Sequence, residues 1–166
     1  MIVQSIGQVP TMNQIRKDFL ADEVRAVDLS GWADILPARY TVLNASLFGD
    51  VFLRDDYLGA VHMLEVSAAS ISHIAKSEGE FREKCILDED GWLLRPLADK
   101  CWDAGLRPNP TQCYGFRLLP IFGGEYSCEN IILISWREWF DFTADIFKQT
   151  QGMKDGARVL IEVNER

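Results

Sequence analysis

Between Gln112 and Ile131 the chain runs QCYGFRLLPIFGGEYSCENI, with four glycine or proline positions set between two apolar stretches. Pro120 fixes φ and lacks an N–H, while Gly123 and Gly124 tolerate φ > 0 without a steric penalty. The segment therefore predicts a strand, a bend, a loop and a returning strand. A loop with paired glycines beside Cys113 and Glu125 invites a catalytic reading, yet the segment holds no obvious catalytic set. Gly115, Pro120, Gly123 and Gly124 are expected to set backbone geometry, with Tyr114, Phe116 and Ile131 packing the sheet.

The stretch that follows is strongly helical. Ser135 with Glu138 has capping-box spacing, and Trp136, Trp139, Phe140, Thr143, Ile146 and Phe147 recur on one helical face. A second capping box, Ser77 with Glu80, precedes a helix whose Phe81 and Cys85 lie four residues apart, ended by Asp88-Glu89-Asp90-Gly91. Pro96 can open another helix that carries Leu97, Cys101 and Ala104 on a common face before Gly105. Nearer the N-terminus, Thr11 with Gln14 and the spacing of Met12, Ile15 and Phe19 predict a helix, whereas residues 1–9 show no clear period. Helical spacing also suggests a stretch from Ser30, interrupted at Leu36-Pro37 and renewed with Tyr40, Leu43 and Leu47 on one face.

Strand signals come in hairpins. Phe48–Arg54 and Ala60–Val66 are rich in β-branched and aromatic residues and flank a polar tip, Asp55-Asp56-Tyr57-Leu58-Gly59. Residues 68–75 fit either helix or strand, and Ala157–Val163 suggests a last strand. Hairpins with helices before, between and after them predict an α+β fold: a single domain with a largely antiparallel sheet. An N-terminal segment over 1–29, with its short helix, would precede the domain proper at 30–166.

At 166 residues the chain suits one compact core. Its formal charge of −8 repels phosphate backbones and anionic headgroups, which argues against direct binding of nucleic acid or membrane. An acidic surface keeps a protein soluble, and it also suits a basic protein partner. The N-terminal residues lack a basic region followed by an apolar stretch, and no window is long and apolar enough for a membrane span, so a cytoplasmic address is expected. Cys85, Cys101, Cys113 and Cys128 form no C-x-x-C pair and only His62 and His73 accompany them, so no structural zinc site, and no metal or other cofactor, is expected.

Catalytic sets are sparse. A pocket beside Cys113, Tyr114 and His62 is the alternative place for a small molecule or a reaction, without a local signature for a thiol nucleophile. Asp50 after Gly49 suits a turn that bonds nearby backbone N–H groups, in preference to a metal ligand. Gly123-Gly124 lacks the lysine and hydroxyl residue of a phosphate-binding loop. Over 78–90, Glu78, Glu80, Glu83, Asp88, Glu89 and Asp90 set six carboxylates against Arg82 and Lys84, with Trp92 close behind. Such a run can decorate a solvated helix, or it can steer a basic partner onto an aromatic anchor. The candidate partner-binding residues are Asp55, Asp56 and Tyr57 at the hairpin tip, Asp88, Glu89, Asp90 and Trp92 on the acidic run, and Glu125 and Tyr126 in the glycine loop.

A series of short motifs in order carries a family resemblance: Trp32, Leu36-Pro37 and Tyr40; Phe48-Gly49-Asp50; Ile74-Ala75-Lys76-Ser77-Glu78 and Phe81; Gln112-Cys113-Tyr114-Gly115-Phe116; Pro120; Gly123-Gly124-Glu125-Tyr126; and Glu129-Asn130-Ile131. Over about residues 30–150 the chain resembles the GAD-like family of bacterial immunity proteins, which are encoded beside nuclease toxins of type VI secretion systems. The resemblance implies a cytoplasmic antitoxin that binds a cognate toxin domain, commonly a DNase, and catalyses no reaction. It assigns no binding residue.

Overall fold

The structure, a computed structural model, describes Val24, residues 27–158 and Leu160. The helix expected from Thr11 lies outside these residues, as does most of the strand expected over 157–163.

Strands β1 (Tyr40–Ala45), β2 (Val51–Asp55), β3 (Val61–Glu65) and β4 (Ser70–Ala75) form an antiparallel meander in sequence order. Helices α1 (Glu78–Leu87) and α2 (Arg95–Asp103) follow. Strands β5 (Gln112–Phe116) and β6 (Ile131–Ser135) then pair antiparallel as a second, two-stranded sheet, and β6 runs directly into α3 (Trp136–Thr150). The α+β fold class holds, with the antiparallel pairing divided between two sheets.

Strand alternation explains the layers. Along β2, Val51 and Leu53 enter a large core built with Trp32, Tyr114, Phe116, Trp136, Trp139, Phe140 and Phe147. Phe52, between them, points to the other face, where it meets Val61, Met63, Phe81, Cys85 and Leu93. The four-stranded sheet is thus covered by α1 on one face and by β5, β6 and α3 on the other. Every residue of the stripe expected on α3 is buried: Trp136, Trp139, Phe140, Thr143, Ile146 and Phe147.

Both capping boxes in the described region close. Ser135 Oγ accepts from Glu138 N–H at 3.2 Å, and its hydroxyl donates to the Glu138 carboxylate at 2.6 Å. At α1, Ser77 Oγ accepts from Glu80 N–H at 3.2 Å, while the Glu80 carboxylate reaches back past the cap to the Lys76 N–H at 2.8 Å. That amide bond is the main cause that holds the Glu80 carboxyl below its ordinary range.

Two expectations need correction. Residues 40–45 are strand β1, and no helix begins at Pro37; between residue 27 and the sheet there is a 3-10 turn, Ser30–Trp32. The helical spacing of Tyr40, Leu43 and Leu47 is coincidental: β1 pairs with β2 from Tyr40↔Asp55 to Ala45↔Val51, and a register shift between Val42 and Asn44 blurs the period of two. The strand expected from Phe48 starts instead at Val51, because Ser46–Asp50 is a tight connection. There Ser46 N–H donates to Asp50 O at 2.8 Å and Gly49 N–H to Ser46 O at 3.1 Å. The ambiguous stretch over 68–75 resolves as β4, preceded by a turn.

The connection at 46–50 joins the two sheets. Tyr114 N–H donates to Leu47 O at 2.7 Å, and the Phe48 ring lies 5.1 Å from that of Tyr114 and 6.1 Å from that of Phe116, centroid to centroid. At the far side of β5, the loop into β6 closes on Asn130. Its amide nitrogen donates to Leu118 O and Glu125 O, both at 2.9 Å, and its Oδ1 accepts from Leu118 N–H at 2.9 Å. Gly123 takes φ 86°, as its type allows, but Gly124 is needed for another reason. A Cβ there would fall 1.8 Å from the Leu118 carbonyl oxygen.

Candidate partner interface

The hairpin tip, the acidic run and the glycine loop do not merge into one surface. Trp92 packs on Phe52 and Phe81 on the α1 side of the four-stranded sheet, whereas Tyr126 rests edge-on against Phe116 on the other side. The tip and the start of α1 are tied together, since Arg54 donates to Glu78 at 3.1 Å. Helix α1 spans about 15 Å, so the turn at its far end is a separate patch.

At the tip, Tyr57 and Leu58 are 70% and 76% exposed. The two carboxylates beside them serve the turn. Asp55 Oδ1 accepts from Tyr57 N–H at 2.7 Å and Leu58 N–H at 3.0 Å, and Asp56 accepts from the Thr41 hydroxyl at 2.9 Å and from Arg54 at 3.2 Å. Arg39 lies over the Tyr57 ring at 5.7 Å. The tip therefore offers an aromatic and an aliphatic side chain on a rigid turn whose acidic charge is already engaged.

The acidic run divides in the same way. Glu78 pairs with Arg54 and Arg82, and Glu80 with Lys84 at 3.3 Å. Asp88 turns inward: its backbone is left-handed at φ 49°, its side chain is 7% exposed, and its carboxylate accepts from Arg95 at 2.9 Å and from Leu93 N–H at 3.3 Å. Trp92 is half-buried, with Lys84 6.0 Å above its ring. Asp88 and Trp92 thus fasten the α1–α2 connection. Glu89 and Asp90 are exposed and join no ion pair among the described residues.

Sequence reasoning missed the apolar partners of those two carboxylates. Ile86 and Leu87, the last residues of α1, are each 68% exposed. A helical wheel contains the signal. Phe81 and Cys85 define the buried face of α1, so Ile86 and Leu87, one and two steps of 100° further round, must leave it. Leu118, Ile121 and Tyr126 form a further exposed apolar set around the glycine loop, with Glu125 beside them.

The pocket considered beside Cys113, Tyr114 and His62 has little room for chemistry. Cys113 and Tyr114 are fully buried, and the Tyr114 hydroxyl donates to Leu106 O at 2.7 Å. Burial, followed by the charge of Asp50, pushes the Cys113 thiol well above its ordinary range. Burial likewise raises the Cys85 and Cys101 thiols to about 12. Thiols held protonated are poor nucleophiles. His62 sits across from His73 in the β3–β4 pair, ring centroids 5.6 Å apart, and burial and then that neighbour lower its pKa. Among the described residues, no three His, Cys, Asp or Glu side chains are grouped to hold a metal ion, and no helix is long and apolar enough to cross a membrane.

Asp50 is the most unusual side chain in the molecule. It is 6% exposed, and its Oδ1 has no hydrogen-bond partner among the described residues. The turn-forming part expected of it falls to Ser46, whose Oγ accepts from the Phe48 and Asp50 N–H groups, both at 3.3 Å. Burial, and then the charge of Glu65, push the Asp50 carboxyl well above the usual carboxylate range, against a smaller opposing effect of the Ser46 hydroxyl and the Val66 amide.

Residues 79–147 match the family described as T6SS immunity protein Tdi1, C-terminal. The matched segment takes in most of α1, all of α2, β5 and β6, and α3 as far as Phe147, so it contains the layers on both faces of the four-stranded sheet. Ile86, Leu87, Glu89, Asp90, Glu125 and Tyr126 fall inside it, and the hairpin tip and Asp50 outside. The resemblance to type VI secretion immunity proteins is borne out over this segment. No curated protein matches the chain.

Proposed function

We propose, on the premise that residues 79–147 are similar to a type VI secretion immunity protein, that this chain acts in the cytoplasm as a non-catalytic antitoxin. Its partner would be the toxin domain encoded beside it, a DNase with a basic DNA-binding surface. The observation that carries the choice of interface is the exposure of Ile86 and Leu87 next to Glu89 and Asp90. Protein interfaces combine a dry apolar centre with a polar rim, and complementary charge there accelerates encounter. A nuclease that attracts DNA presents cationic side chains; a chain of net charge −8 attracts such a surface and repels nucleic acid itself.

The test is co-purification of the chain with the toxin domain, followed by DNA cleavage assays with and without it. Stoichiometric complex formation and loss of cleavage support the proposal; a toxin that cleaves DNA undiminished in the presence of excess chain contradicts it. The acidic edge has its own prediction. Reversing Glu89 and Asp90 to lysine should slow association by about tenfold at low salt and flatten its salt dependence, with Asp88 left in place because it holds Arg95. On-rates that match the native chain from low to moderate salt would remove this edge from the interface.

A further inference from the structure

The motifs Phe48-Gly49-Asp50 and Gly123-Gly124-Glu125-Tyr126, far apart in sequence, meet in space around the buried acid, and the partner-binding role so far assigned to the α1 edge does not account for them. Phe48 packs on Phe116, and Phe116 carries the Tyr126 ring at 5.3 Å. Tyr126 is 55% exposed, yet its phenol pKa is raised by burial and then by the charges of Asp50 and Glu65. Asp50 and Glu65 fall opposite one another, because β2 pairs with β3 in a register that sets Val51 against Leu64, and the Tyr126 phenol senses both charges.

Asp50 Oδ1 has no partner among the described residues; the Ser46 hydroxyl lies at a long 3.5 Å from Oδ2, and the Val66 amide also favours the charged carboxylate. Glu65, half-buried at the end of β3, uses Oε2 to accept from the Ser70 hydroxyl at 2.9 Å. No lysine or arginine pairs with either acid among the described residues. The groups that act on Asp50 are Glu65 from β3, the Val66 amide that follows it, Tyr126 from the loop before β6, Cys113 from β5 and Ser46 from its own connection, and none of them is a basic side chain. A buried acceptor without a donor is costly, and two neighbouring carboxyl groups repel when both ionise.

We propose that Asp50 and Glu65, with Tyr126 as a movable cover, form a socket for one cationic side chain, arginine or lysine, of the toxin. The inference rests on the antitoxin reading and adds a second contact apart from the exposed end of α1, where the 46–50 connection meets the turn after β3. Turning Tyr126 off Phe116 opens the carboxyl pair. The incoming cation supplies the donors that Asp50 Oδ1 lacks, and its charge allows both acids to ionise together. Glu125, exposed beside the cover, lies on the rim of the opening.

The test uses full-length chain in two arms. In the first, toxin affinity is measured for the native chain and for Asp50→Asn with Glu65→Gln, alone and together. These substitutions keep shape and remove charge, so the melting temperature should not fall, while the double variant binds at least about 30-fold more weakly. Native-like affinity in the double variant overturns the socket and leaves the antitoxin reading standing. In the second arm, butylguanidinium is titrated into the free chain while carboxyl carbon resonances are followed by NMR. A saturable shift at Asp50 and Glu65, lost in Glu65→Gln, is expected. A response no larger than that of exposed Glu89 overturns the socket. If the native chain fails to bind the toxin at all, the antitoxin reading fails, and the second arm still decides whether the carboxyl pair takes a cation.

Discussion

Replacing Trp139 with alanine is expected to lower stability by about 3–5 kcal/mol, the range for deleting a large aromatic from a packed core. For a chain of this size that corresponds to a fall in melting temperature of roughly 10 °C. Trp139 is 1% exposed and stands where three segments meet. Its ring lies 6.5 Å from Phe116 on β5 and 6.1 Å from Phe142 on its own helix, and it closes over the backbone of Gly49 and Gly115. Alanine would leave a cavity between the two sheets that neither can fill without moving the 46–50 connection. Thermal unfolding by circular dichroism reads the effect, and a midpoint within 2 °C of the native value would contradict the placement of Trp139 at this junction.

Gly49→Ala should be comparably damaging, by about 2–4 kcal/mol, for two independent reasons. Gly49 adopts φ 86°, a left-handed conformation that costs an alanine about 1–2 kcal/mol. A Cβ there would also fall 2.5 Å from the Trp139 ring, and overpacking of that kind costs about 1–3 kcal/mol. The comparison that isolates the mechanism is Gly59→Ala, where φ is 72° but a Cβ meets nothing within 4 Å. Chemical denaturation should show Gly49→Ala as clearly the weaker variant. Equal losses at the two positions would mean that the approach of Trp139 to Gly49 is not close.

The elements that could be foreseen are those whose signal is local. Ser77 with Glu80 and Ser135 with Glu138 announce helix starts through side chains within one turn, and the stripe on α3 is dense enough to specify its buried face. Strand β1 was not legible, because its membership depends on pairing with β2 and a register shift at Val42/Asn44 hides its alternation. The candidate interface divides along the same line. Ile86 and Leu87 follow from the helical wheel once Phe81 and Cys85 are taken as inward. That Asp88 turns in toward Arg95 while Glu89 stays out depends on a left-handed residue that the run Asp-Glu-Asp does not announce. Asp50 resembles a turn residue in sequence; its burial arises from β3, β5 and the loop at Tyr126, which only the folded chain brings around it.

Growth measures most directly whether the chain is an antitoxin. Cells that express the toxin domain encoded beside this gene should stop growing, and co-expression of the native chain should restore growth while the toxin remains intact and bound to it. Continued arrest, with both proteins present as folded, soluble species and no complex between them, would contradict the account.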